Sequence, residues 1–448
     1  MFKKILIANR GEIALRVIRA CKELGVPTVA VYSTADRESL HVFFADESVC
    51  IGPPPASESY LKAQNLISAA QVSGADAIHP GYGFLAESAD FAEMCAMHGL
   101  IFIGPRPETM TLMGDKAQAK RTMQSVGVPV MPGSEGVVPD LAEAKKIAAQ
   151  IGYPVIIKAS AGGGGRGMRI VRSEDGLESN FEMARAEAES SFGNGDLYIE
   201  KYLENPHHIE VQLLGLAGKK ILTFGERDCS IQRRHQKLVE ESPSPVVTPS
   251  LRKQLMEAAM EGAKAVDYLS AGTIEFLLDS STRDKFYFME MNTRIQVEHP
   301  VSEMVTGADL VKCQILAAGG ATLCWEKDEI QLTGHAIECR INAEDPEKNF
   351  LPTPGKISEL HLPGGPGIRV DSHVFAGYTI PPNYDSLLAK VIAHGRNRDE
   401  AIVRMRRALG EMVVEGVATT IPVHKKIMEH PEFIAGKATT GFIGQFIK

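Results

Sequence analysis

Two glutamates near the middle of the sequence could hold a divalent cation between them. Glu275 lies in the apolar run AGTIEFLLD and Glu290 in the run FYFMEMN. If the two runs form a hairpin with a loop at 281–284, the register places Glu275 directly opposite Glu290. Facing carboxylates destabilise a β-ladder, whereas Mg²⁺ prefers a few carboxylate oxygens together with nucleotide phosphates. Alternation in the second run places four residues on one strand face: Phe286, Phe288, Glu290 and Asn292. The aromatic neighbours favour a partly buried magnesium site over two solvated glutamates.

A glycine cluster follows the apolar strand that ends near Lys158. Its glycines are Gly162, Gly163, Gly164, Gly165 and Gly167. Consecutive glycines let backbone N–H groups close over a polyphosphate, because no side chain blocks the approach. The cluster is not a Walker A loop, since neither Lys-Ser/Thr nor a helix follows it. It connects the strand at Lys158 to another strand beginning at Met168, which favours a mobile phosphate lid over a flexible linker.

Cationic side chains occur at three further places in an otherwise acidic chain. Arg294, Gln296 and Glu298 share parity in NTRIQVEHP, so a cation, an amide and a carboxylate follow the predicted metal site. The run RRHQK ends at Lys237, and Arg340 stands alone in ECRINAED. Isolated cations of this kind are typical of a small anion pocket, although the sequence does not show whether these segments meet.

The composition excludes several classes of function. The 448 residues include 48 basic and 56 acidic side chains, which leaves a formal charge of -8 and no general attraction to nucleic acid or anionic membranes. No apolar run approaches the length of a membrane span, and the N-terminus lacks the features of a signal or transit peptide. We therefore expect a cytoplasmic protein. The seven cysteines are never spaced CxxC, which argues against a cysteine-bound zinc site and a catalytic thiol.

Three regions position these residues. The first hundred residues alternate strands with helices, the first helix running from about Glu12 to Leu24 with one apolar face, and predict an open, mostly parallel sheet. Its first turn lacks a GxGxxG fingerprint, so the shape is Rossmann-like without an NAD site. A second region from about Lys116 holds the glycine cluster and several β-rich stretches. A third, from about Gly334, ends in a helix near 400–412.

Taken together, these runs resemble the biotin carboxylase family. The runs that carry the resemblance are IANRGEIALR, HPGYGFL, MGDK, KASAGGGGRGM, EKYLENP, ERDCSIQRRHQK, EMNTRIQVEHPV, ECRINAEDP and YDSLLAK, and they cover nearly the whole chain in order. The resemblance implies an ATP-grasp fold of mixed α/β and α+β class. Its expected parts are a Rossmann-like N-terminal domain at 1–114, an ATP-grasp domain at 115–330 with a lid subdomain at about 131–203, and a mixed, β-rich C-terminal domain at 331–448.

The resemblance also implies roles for particular residues. ATP would contact Lys116, Lys158, the five glycines, Glu200, Lys201, Leu203 and His208, with Gln232 and His235 lining the same cavity. Two Mg²⁺ or Mn²⁺ ions would be held by Glu275 and Glu290, with Asn292 nearby. Bicarbonate would bind to Lys237, Arg294, Gln296, Val297 and Glu298. Glu298 would be the base that removes the bicarbonate proton. Arg340 would stabilise the biotin enolate, with Tyr82 and Asp385 shaping the biotin side.

The expected activity is the ATP-dependent carboxylation of carrier-bound biotin by bicarbonate through carboxyphosphate. The chain shows no biotinylated-lysine motif, so the expected partners are a biotin carboxyl carrier protein and carboxyltransferase subunits, with acetyl-CoA as the first choice of acceptor. A pyruvate or other acyl-CoA carboxylase is the main alternative. Arg19, Glu23 and Arg369 match the family's dimer contacts, which predicts a homodimer. More distant alternatives are another ATP-grasp carboxylate–amine ligase and a catalytically silent scaffold.

Overall fold

Apolar runs of the N-terminal region form a parallel sheet in the computed structural model, which describes residues 1–159, 168–282, 284–321, 323 and 330–446. The strands are β1 (Ile5–Ile7), β2 (Thr28–Ser33), β3 (Glu47–Gly52), β4 (Ala77–His79) and β5 (Ile101–Phe102). They pair in parallel in the order β3-β2-β1-β4-β5. The helices are α1 (Gly11–Glu23), α2 (Leu40–Phe44), α3 (Ala63–Ser73), α4 (Ala89–Met97) and α5 (Pro107–Gly114). The prediction of an open, parallel sheet is confirmed.

Helix α1 is more deeply buried than its sequence pattern predicts. Ile13 and Val17 lie in the apolar core as expected, but Glu12 and Arg16 are also buried. The reason is that α1 packs between its own sheet and a later helix, α11 (Leu310–Ala318). Arg16 donates hydrogen bonds to carboxylates from that region, at 2.9 Å to Glu303 and 2.6 Å to Asp309. The expectation of a single apolar face was therefore too simple.

A small subdomain follows, with an apolar core of its own. Its elements are α7 (Leu141–Ile151), β6 (Val155–Ala159), β7 (Met168–Val171), α8 (Leu177–Phe192) and β8 (Leu197–Lys201). The preceding helix α6 (Lys116–Ser125) instead packs into the apolar cluster of the central region. The antiparallel sheet β7-β6-β8 packs with α7 and α8 around buried side chains such as Ile157 and Phe181. Lys158 pairs with Met168 across the sheet. The two strands predicted to flank the glycine cluster are therefore confirmed, while the five glycines lie outside the described residues.

The largest sheet runs through the rest of the chain. Its central region contributes β9 (His207–Leu216), β10 (Lys220–Arg233), β11 (Gln236–Ser242), α9 (Pro249–Ala265), β12 (Ser270–Leu278), β13 (Phe286–Asn292) and α10 (His299–Thr306). The sheet has the order β13-β12-β9-β10-β11-β14-β21-β19. Strand β11 pairs directly with β14 (His335–Asn342). The boundary predicted near residue 331 thus falls between strands of one continuous sheet.

The remaining elements belong to the C-terminal region. They are β15 (Glu344–Asp345), β16 (Leu351–Pro352), β17 (Gly355–Lys356), β18 (Leu360–His361), β19 (Ile368–Ser372), β20 (Thr379–Ile380), β21 (Leu387–Gly395), α12 (Arg398–Glu411), β22 (Val413–Val414), α13 (Ile421–Glu429), α14 (Pro431–Ile434) and α15 (Phe442–Phe446). The helix predicted near 400–412 is α12, but three shorter helices follow it. Their apolar side chains pack on the large sheet with those of α12. In the part of the chain that is described, no helix combines the length and apolar character of a membrane span.

The hairpin of β12 and β13 has the predicted pairing at the glutamates and a different one beyond them. Glu275 lies opposite Glu290, but the register shifts by one residue immediately afterwards. Phe276 consequently pairs with Phe288, which leaves Met289 as the extra residue of a β-bulge. The bulge places Phe288 in the apolar cluster beneath the sheet, so the prediction that Phe286 and Phe288 share a face with Glu290 was wrong. The strands also end earlier than expected, and the loop is longer than 281–284.

Candidate active site

A cavity of about 1620 Å³ lies where the three regions meet. Eighteen of the predicted site residues line it: Tyr82, Lys116, Lys158, Glu200, Lys201, Leu203, His208, Gln232, His235, Lys237, Glu275, Glu290, Asn292, Arg294, Gln296, Val297, Arg340 and Asp385. Glu298 is fully buried immediately behind this wall. The structure therefore brings together every predicted site residue that it describes.

Lys237 lies at the centre of the polar wall. It follows the tip of the β10–β11 hairpin, where Arg234 and His235 both adopt positive φ. Two such residues at a tight hairpin tip match the twist of the flanking strands. The ammonium group of Lys237 donates hydrogen bonds to three carboxylates: Glu210 at 2.6 Å, Glu275 at 2.9 Å and Glu298 at 2.6 Å. One cation thus links the predicted metal ligand Glu275 to the predicted base Glu298.

Glu298 accepts hydrogen bonds from two cationic side chains. Besides Lys237, Arg340 donates to it at 2.8 Å. Burial opposes the ionisation of Glu298, but Lys237, Arg340 and the nearby Arg227 outweigh it and hold the pKa of the Glu298 carboxyl well below its ordinary value. Glu298 is therefore ionised and able to accept a proton. Its position at the start of α10 is set by the NTRIQVEHP loop that leaves β13.

Arg340 has a second anchor. Its Nε donates to Glu240 at 2.6 Å, so the guanidinium group bridges Glu240 and Glu298. Burial alone would lower the pKa of Arg340, but the two carboxylates raise it above its ordinary value. The arginine is thus a fixed positive charge at the cavity wall, where it could stabilise a developing oxyanion.

The facing glutamates of β12 and β13 are suited to a divalent cation. Glu275 accepts hydrogen bonds from Lys237, Asn292 and Gln296. Burial and the charge of Glu275 raise the pKa of Glu290. Two carboxylates and an amide oxygen facing one cavity are hard oxygen donors of the kind Mg²⁺ binds. The donor set therefore fits magnesium, although Asn292 Oδ1 now accepts from Arg294 at 3.1 Å.

His208 lies beside this pair. Its Nε2 is 2.9 Å from a carboxylate oxygen of Glu275, and Gln232 Nε2 is 3.4 Å from its Nδ1. Burial lowers the pKa of His208, but Glu275 outweighs burial and raises it. The structure thus places His208 next to a predicted metal ligand, whereas the sequence resemblance grouped it with the adenine and ribose contacts.

Arg294 is held in a polar network beyond the metal ligands. Its Nη1 donates to Gln296 at 2.8 Å, and its Nε donates to Glu87 at 3.0 Å. Glu87 also accepts the backbone N–H of Thr293 at 3.1 Å. The N-terminal region thereby fixes the loop that carries the predicted bicarbonate ligands.

The sheet β7-β6-β8 and the neighbouring helix α6 contribute a separate group of cationic side chains. Lys158 donates to Glu200 at 2.6 Å, and Lys120 of α6 donates to the other oxygen of the same carboxylate at 2.9 Å. Burial opposes the ionisation of Glu200, but the two lysines lower its pKa overall. Lys201 instead donates to the carbonyls of Gly152 and Tyr153. Lys158 and Lys120 thus present two ammonium groups to the cavity.

Tyr82 and Asp385, which were predicted to shape the biotin side, both line the cavity. The hydroxyl of Tyr82 donates to Glu12, and Lys390 is 3.1 Å from the same Glu12 carboxylate. Lys390 also donates to the carbonyl of Val297 at 2.9 Å. Asp385 is exposed in the loop before β21. Through Glu12 and the buried Lys390, Tyr82 is therefore connected to the loop that carries the predicted bicarbonate ligands.

Several residues of this site were absent from the sequence predictions, among them Glu12, Glu87, Lys120, Glu210, Glu240 and Lys390. Glu210 in HIEVQLLG was detectable, because a charged residue stands between the apolar residues Ile209 and Val211 of a strand. Lys390 in LLAKVIAHG carries the same signal. Glu12, Glu87 and Lys120 lie on helices or loops where a charge is ordinary, so the sequence offered no local indication.

Family models match almost the whole chain. "Biotin carboxylase, N-terminal domain" matches residues 1–110, "Carbamoyl-phosphate synthase L chain, ATP binding domain" matches 115–325, and "Biotin carboxylase C-terminal domain" matches 338–445. Among curated relatives, biotin carboxylase 1 of Bacillus subtilis (strain 168) is 55% identical over 443 residues, covering 99% of this chain and 98% of the relative. Biotin carboxylase of Nostoc sp. (strain PCC 7120) is 57% identical over 447 residues, covering 100% of both chains.

Solved structures agree with this relationship. The chain superposes on the biotin carboxylase–β-γ-ATP complex from Campylobacter jejuni with a TM-score of 0.92 and 50% identity, covering 99% of both chains. It matches the biotin carboxylase domain dimer of Hydrogenobacter thermophilus 2-oxoglutarate carboxylase, in complex with MgADP, ADP and bicarbonate, with a TM-score of 0.90 and 52% identity, covering 99% of this chain and 98% of that one. The predicted ATP-grasp fold is confirmed, and the chain belongs to the biotin carboxylase family.

Proposed function

We propose that this enzyme uses ATP and bicarbonate to carboxylate biotin carried on a separate protein. One structural observation supports the proposal in addition to the family relationship. Glu298 is held between Lys237 and Arg340, so a base, a cation for anionic substrates and a cation for an enolate meet at one wall of the cavity. A ligase that joins a carboxylate to an amine needs no such combination, which argues against that alternative.

Bicarbonate would bind between Lys237 and the Arg294 loop. Lys237, Arg294 and Gln296 supply donors, and Val297 would contribute backbone groups. Bicarbonate is a poor nucleophile, so its O–H proton would pass to Glu298 as its oxygen attacks the γ-phosphorus of ATP. ADP leaves, and the product is carboxyphosphate. This mixed anhydride is labile, so the reaction would require water to be excluded from the cavity.

Lys116 and Lys158 would neutralise the ATP phosphates, with Glu200, Lys201 and Leu203 toward the base and ribose. The glycines of 162–167 would supply a lid over the phosphates. Glu275 and Glu290, with Asn292 nearby, would hold two Mg²⁺ or Mn²⁺ ions, which supply charge neutralisation for the transferring phosphoryl group. The facing carboxylates of this pair fit that role, since a cation removes their mutual repulsion.

Carboxyphosphate would then break to carbon dioxide and phosphate. The phosphate would take the ureido N–H proton of biotin, and the biotin nitrogen would attack carbon dioxide to form carboxybiotin. Arg340 would offset the negative charge that develops on the ureido oxygen. Tyr82 and Asp385 would shape the biotin side.

The test is ADP release with magnesium and ATP, with bicarbonate and free biotin each added or withheld. We expect turnover to require bicarbonate, to rise with biotin and to fall by about 10²–10⁴-fold in Glu298→Gln, because the base is then absent. An exposed substitution such as Glu411→Gln serves as the control. ADP release that depends on a different carboxylate or on an amine would contradict the proposal.

The same proposal extends to the protein that carries biotin and to the final acceptor of the carboxyl group. We infer a biotin carboxyl carrier protein and a carboxyltransferase that acts on acetyl-CoA, working in the cytoplasm. Relatives named as subunits or domains of pyruvate and 2-oxoglutarate carboxylases are 52% identical to this chain, so pyruvate carboxylation is the second candidate. Reconstitution with each carboxyltransferase, measuring malonyl-CoA against oxaloacetate, distinguishes the two.

We also infer a homodimer. A relative is described as a dimer of biotin carboxylase domains, and Arg19, Glu23 and Arg369 match the family's contacts. Within the chain, Glu23 is paired with Lys312, and Arg369 donates to Glu303 at 2.7 Å and to Asp371. Sedimentation of the parent and of Arg19→Glu tests the assembly. A dimer that is unchanged in the variant would show that Arg19 does not contribute to the interface.

A further inference from the structure

Two buried glutamates face each other behind Arg340. Glu240 of β11 pairs with Glu338 of β14, and both residues are 0% exposed. Residues directly opposite each other in an antiparallel pair lie on one face, with Cβ atoms about 4.5–5.5 Å apart. Arg340 lies on the same face two residues beyond Glu338, and it donates to Glu240 Oε1 at 2.6 Å. The pair therefore supports the cation assigned to the biotin enolate.

Three oxygen atoms of this pair lack donors. Glu240 Oε2 and both carboxyl oxygens of Glu338 are buried and accept no hydrogen bond from any part of the chain that the structure describes. A buried ionised carboxylate without donors is strongly disfavoured, and two facing carboxylates cannot both stay ionised. One proton on Glu338 resolves both problems, because it converts an oxygen into a donor opposite the unpartnered Glu240 Oε2.

The surroundings support this protonation state. Lys390 is the second cation near Glu338, but its ammonium group is already engaged with Glu12 and the carbonyl of Val297. Helix α10 covers this side with Val301 and Val305. The other charges that act on the pair are those of Arg340, Glu298 and Lys237.

The pKa shifts agree with the geometry. Burial, together with the charges of Glu240 and Glu298, outweighs Lys390 and Arg340 and raises the pKa of Glu338 well above its ordinary value. Burial raises the pKa of Glu240 to about 7, although Arg340 works in the opposite direction. Glu338 is thus the member that keeps a proton across the neutral range.

We propose that Glu240 and Glu338 share one proton at neutral pH and that the pair is a positioning element for Arg340. The proton keeps Glu338 neutral and leaves Glu240 as the only anion behind the guanidinium group. Arg340 then retains one fixed anchor when Glu298 becomes protonated during the reaction. The positioning role rests on the proposed function, whereas the shared proton does not.

Infrared spectroscopy tests the proton directly. The parent at neutral pH should show the C=O stretch of a buried protonated carboxyl group, with a shift in D₂O, and the band should be absent from Glu338→Gln. Glu411→Gln, which removes an exposed carboxylate, should leave the band unchanged. If the parent lacks this band, or if Glu338→Gln retains it, the proposal of a shared proton is overturned, whatever the enzyme's substrate.

Kinetics test the positioning role. Glu338→Met removes the donor at nearly constant volume, whereas Glu338→Gln keeps an N–H donor for Glu240. We expect biotin-dependent turnover of Glu338→Met to fall at least about 10-fold below that of Glu338→Gln, because a displaced catalytic group weakens transition-state contacts. The KM for ATP and the biotin-independent release of ADP should be similar in both variants.

The outcomes separate the two proposals. Equal turnover in the Met and Gln variants, with the infrared band assigned to Glu338, would overturn the positioning role alone. A parent enzyme without bicarbonate-dependent ADP release would overturn the proposed function. Thermal denaturation shows whether Glu338→Met is folded. If it is not folded, Glu338→Asp takes its place in the comparison with Glu338→Gln, and we expect the Gln variant to have the higher turnover.

Discussion

Lys390 donates a hydrogen bond from its buried ammonium group to the backbone carbonyl of Val297, at 2.9 Å. On the neighbouring strand, Arg340 lies directly opposite Lys390, so two cations face each other across the ladder. Each is compensated by carboxylates, Lys390 by Glu12 at 3.1 Å and Arg340 by Glu240. Lys390 thus links Glu12, which accepts from the predicted biotin-side residue Tyr82, to the loop predicted to bind bicarbonate.

Replacing Lys390 by Met should misplace that loop. We expect the KM for bicarbonate to rise about 10-fold, because the Val297–Glu298 peptide loses its anchor, while the KM for ATP is unchanged. Unfolding should also become easier by about 3 kcal/mol, since Glu12 is left buried without its cation. Initial rates at varied bicarbonate and urea denaturation measure the two effects. Lys425→Met, on an exposed surface, is the control, and equal increases in both KM values would contradict the assignment.

Glu87→Gln should weaken the support of Arg294. The amide keeps one acceptor oxygen where the carboxylate offers two, one to Arg294 and one to the N–H of Thr293. Because Glu87 is exposed, we expect only about a 3-fold rise in the KM for bicarbonate, and a smaller rise at high ionic strength. Glu93→Gln on α4 provides the comparison. A change confined to the KM for ATP would speak against this contact.

Glu290→Gln should increase the magnesium requirement of the enzyme without destabilising its fold. Without magnesium, removing one of two facing carboxylates relieves repulsion, so the variant should be as stable as the parent or more stable by about 0.5 kcal/mol. The magnesium concentration for half-maximal ADP release should rise at least about 10-fold, because one hard ligand is lost. Denaturation in EDTA and a magnesium titration give the two values. If the magnesium dependence is unchanged, Glu290 is not a ligand of the metal.

His424 should make stability depend on pH. Burial lowers the pKa of its ring from 6.5 to about 4, although its hydrogen bond to the Arg340 carbonyl, with an Nε2–O distance of 2.6 Å, opposes the shift. Because the folded-state pKa is the lower one, the neutral ring contributes stability above pH 6.5 that is lost as the pH falls toward 4. Between about pH 7 and 5, the parent should lose about 2 kcal/mol more than His424→Gln. Urea unfolding at several pH values measures this difference, and parallel losses in both proteins would contradict it.

Local patterns were sufficient for most elements and for one piece of site geometry. Alternation and helical spacing located β1, β2, β6 and α1, because side-chain periodicity reports directly which face is buried. The facing of Glu275 and Glu290 was predicted correctly from a loop at 281–284, although the loop is longer and a register shift separates it from the two glutamates. The bulge at Met289 was not predictable in this way, because it arises where the aromatic side chains join the apolar cluster beneath the sheet.

The sequence by itself determined the residue types of the site and, through the family motifs, their expected roles. Only the tertiary structure decided that Lys237, Glu298 and Arg340 contact one another, that Glu87 supports Arg294, and that Lys390 reaches Val297. The contacts of Lys237, Arg340 and Lys390 join segments far apart in the chain through the shared sheet from β9 to β21, whereas Glu87 reaches Arg294 from the N-terminal region. Burial determines the geometry of these contacts, because each buried charge needs a partner and strands pair so as to bury their apolar faces. A local sequence pattern shows neither the partner of a charge nor the pairing of distant strands.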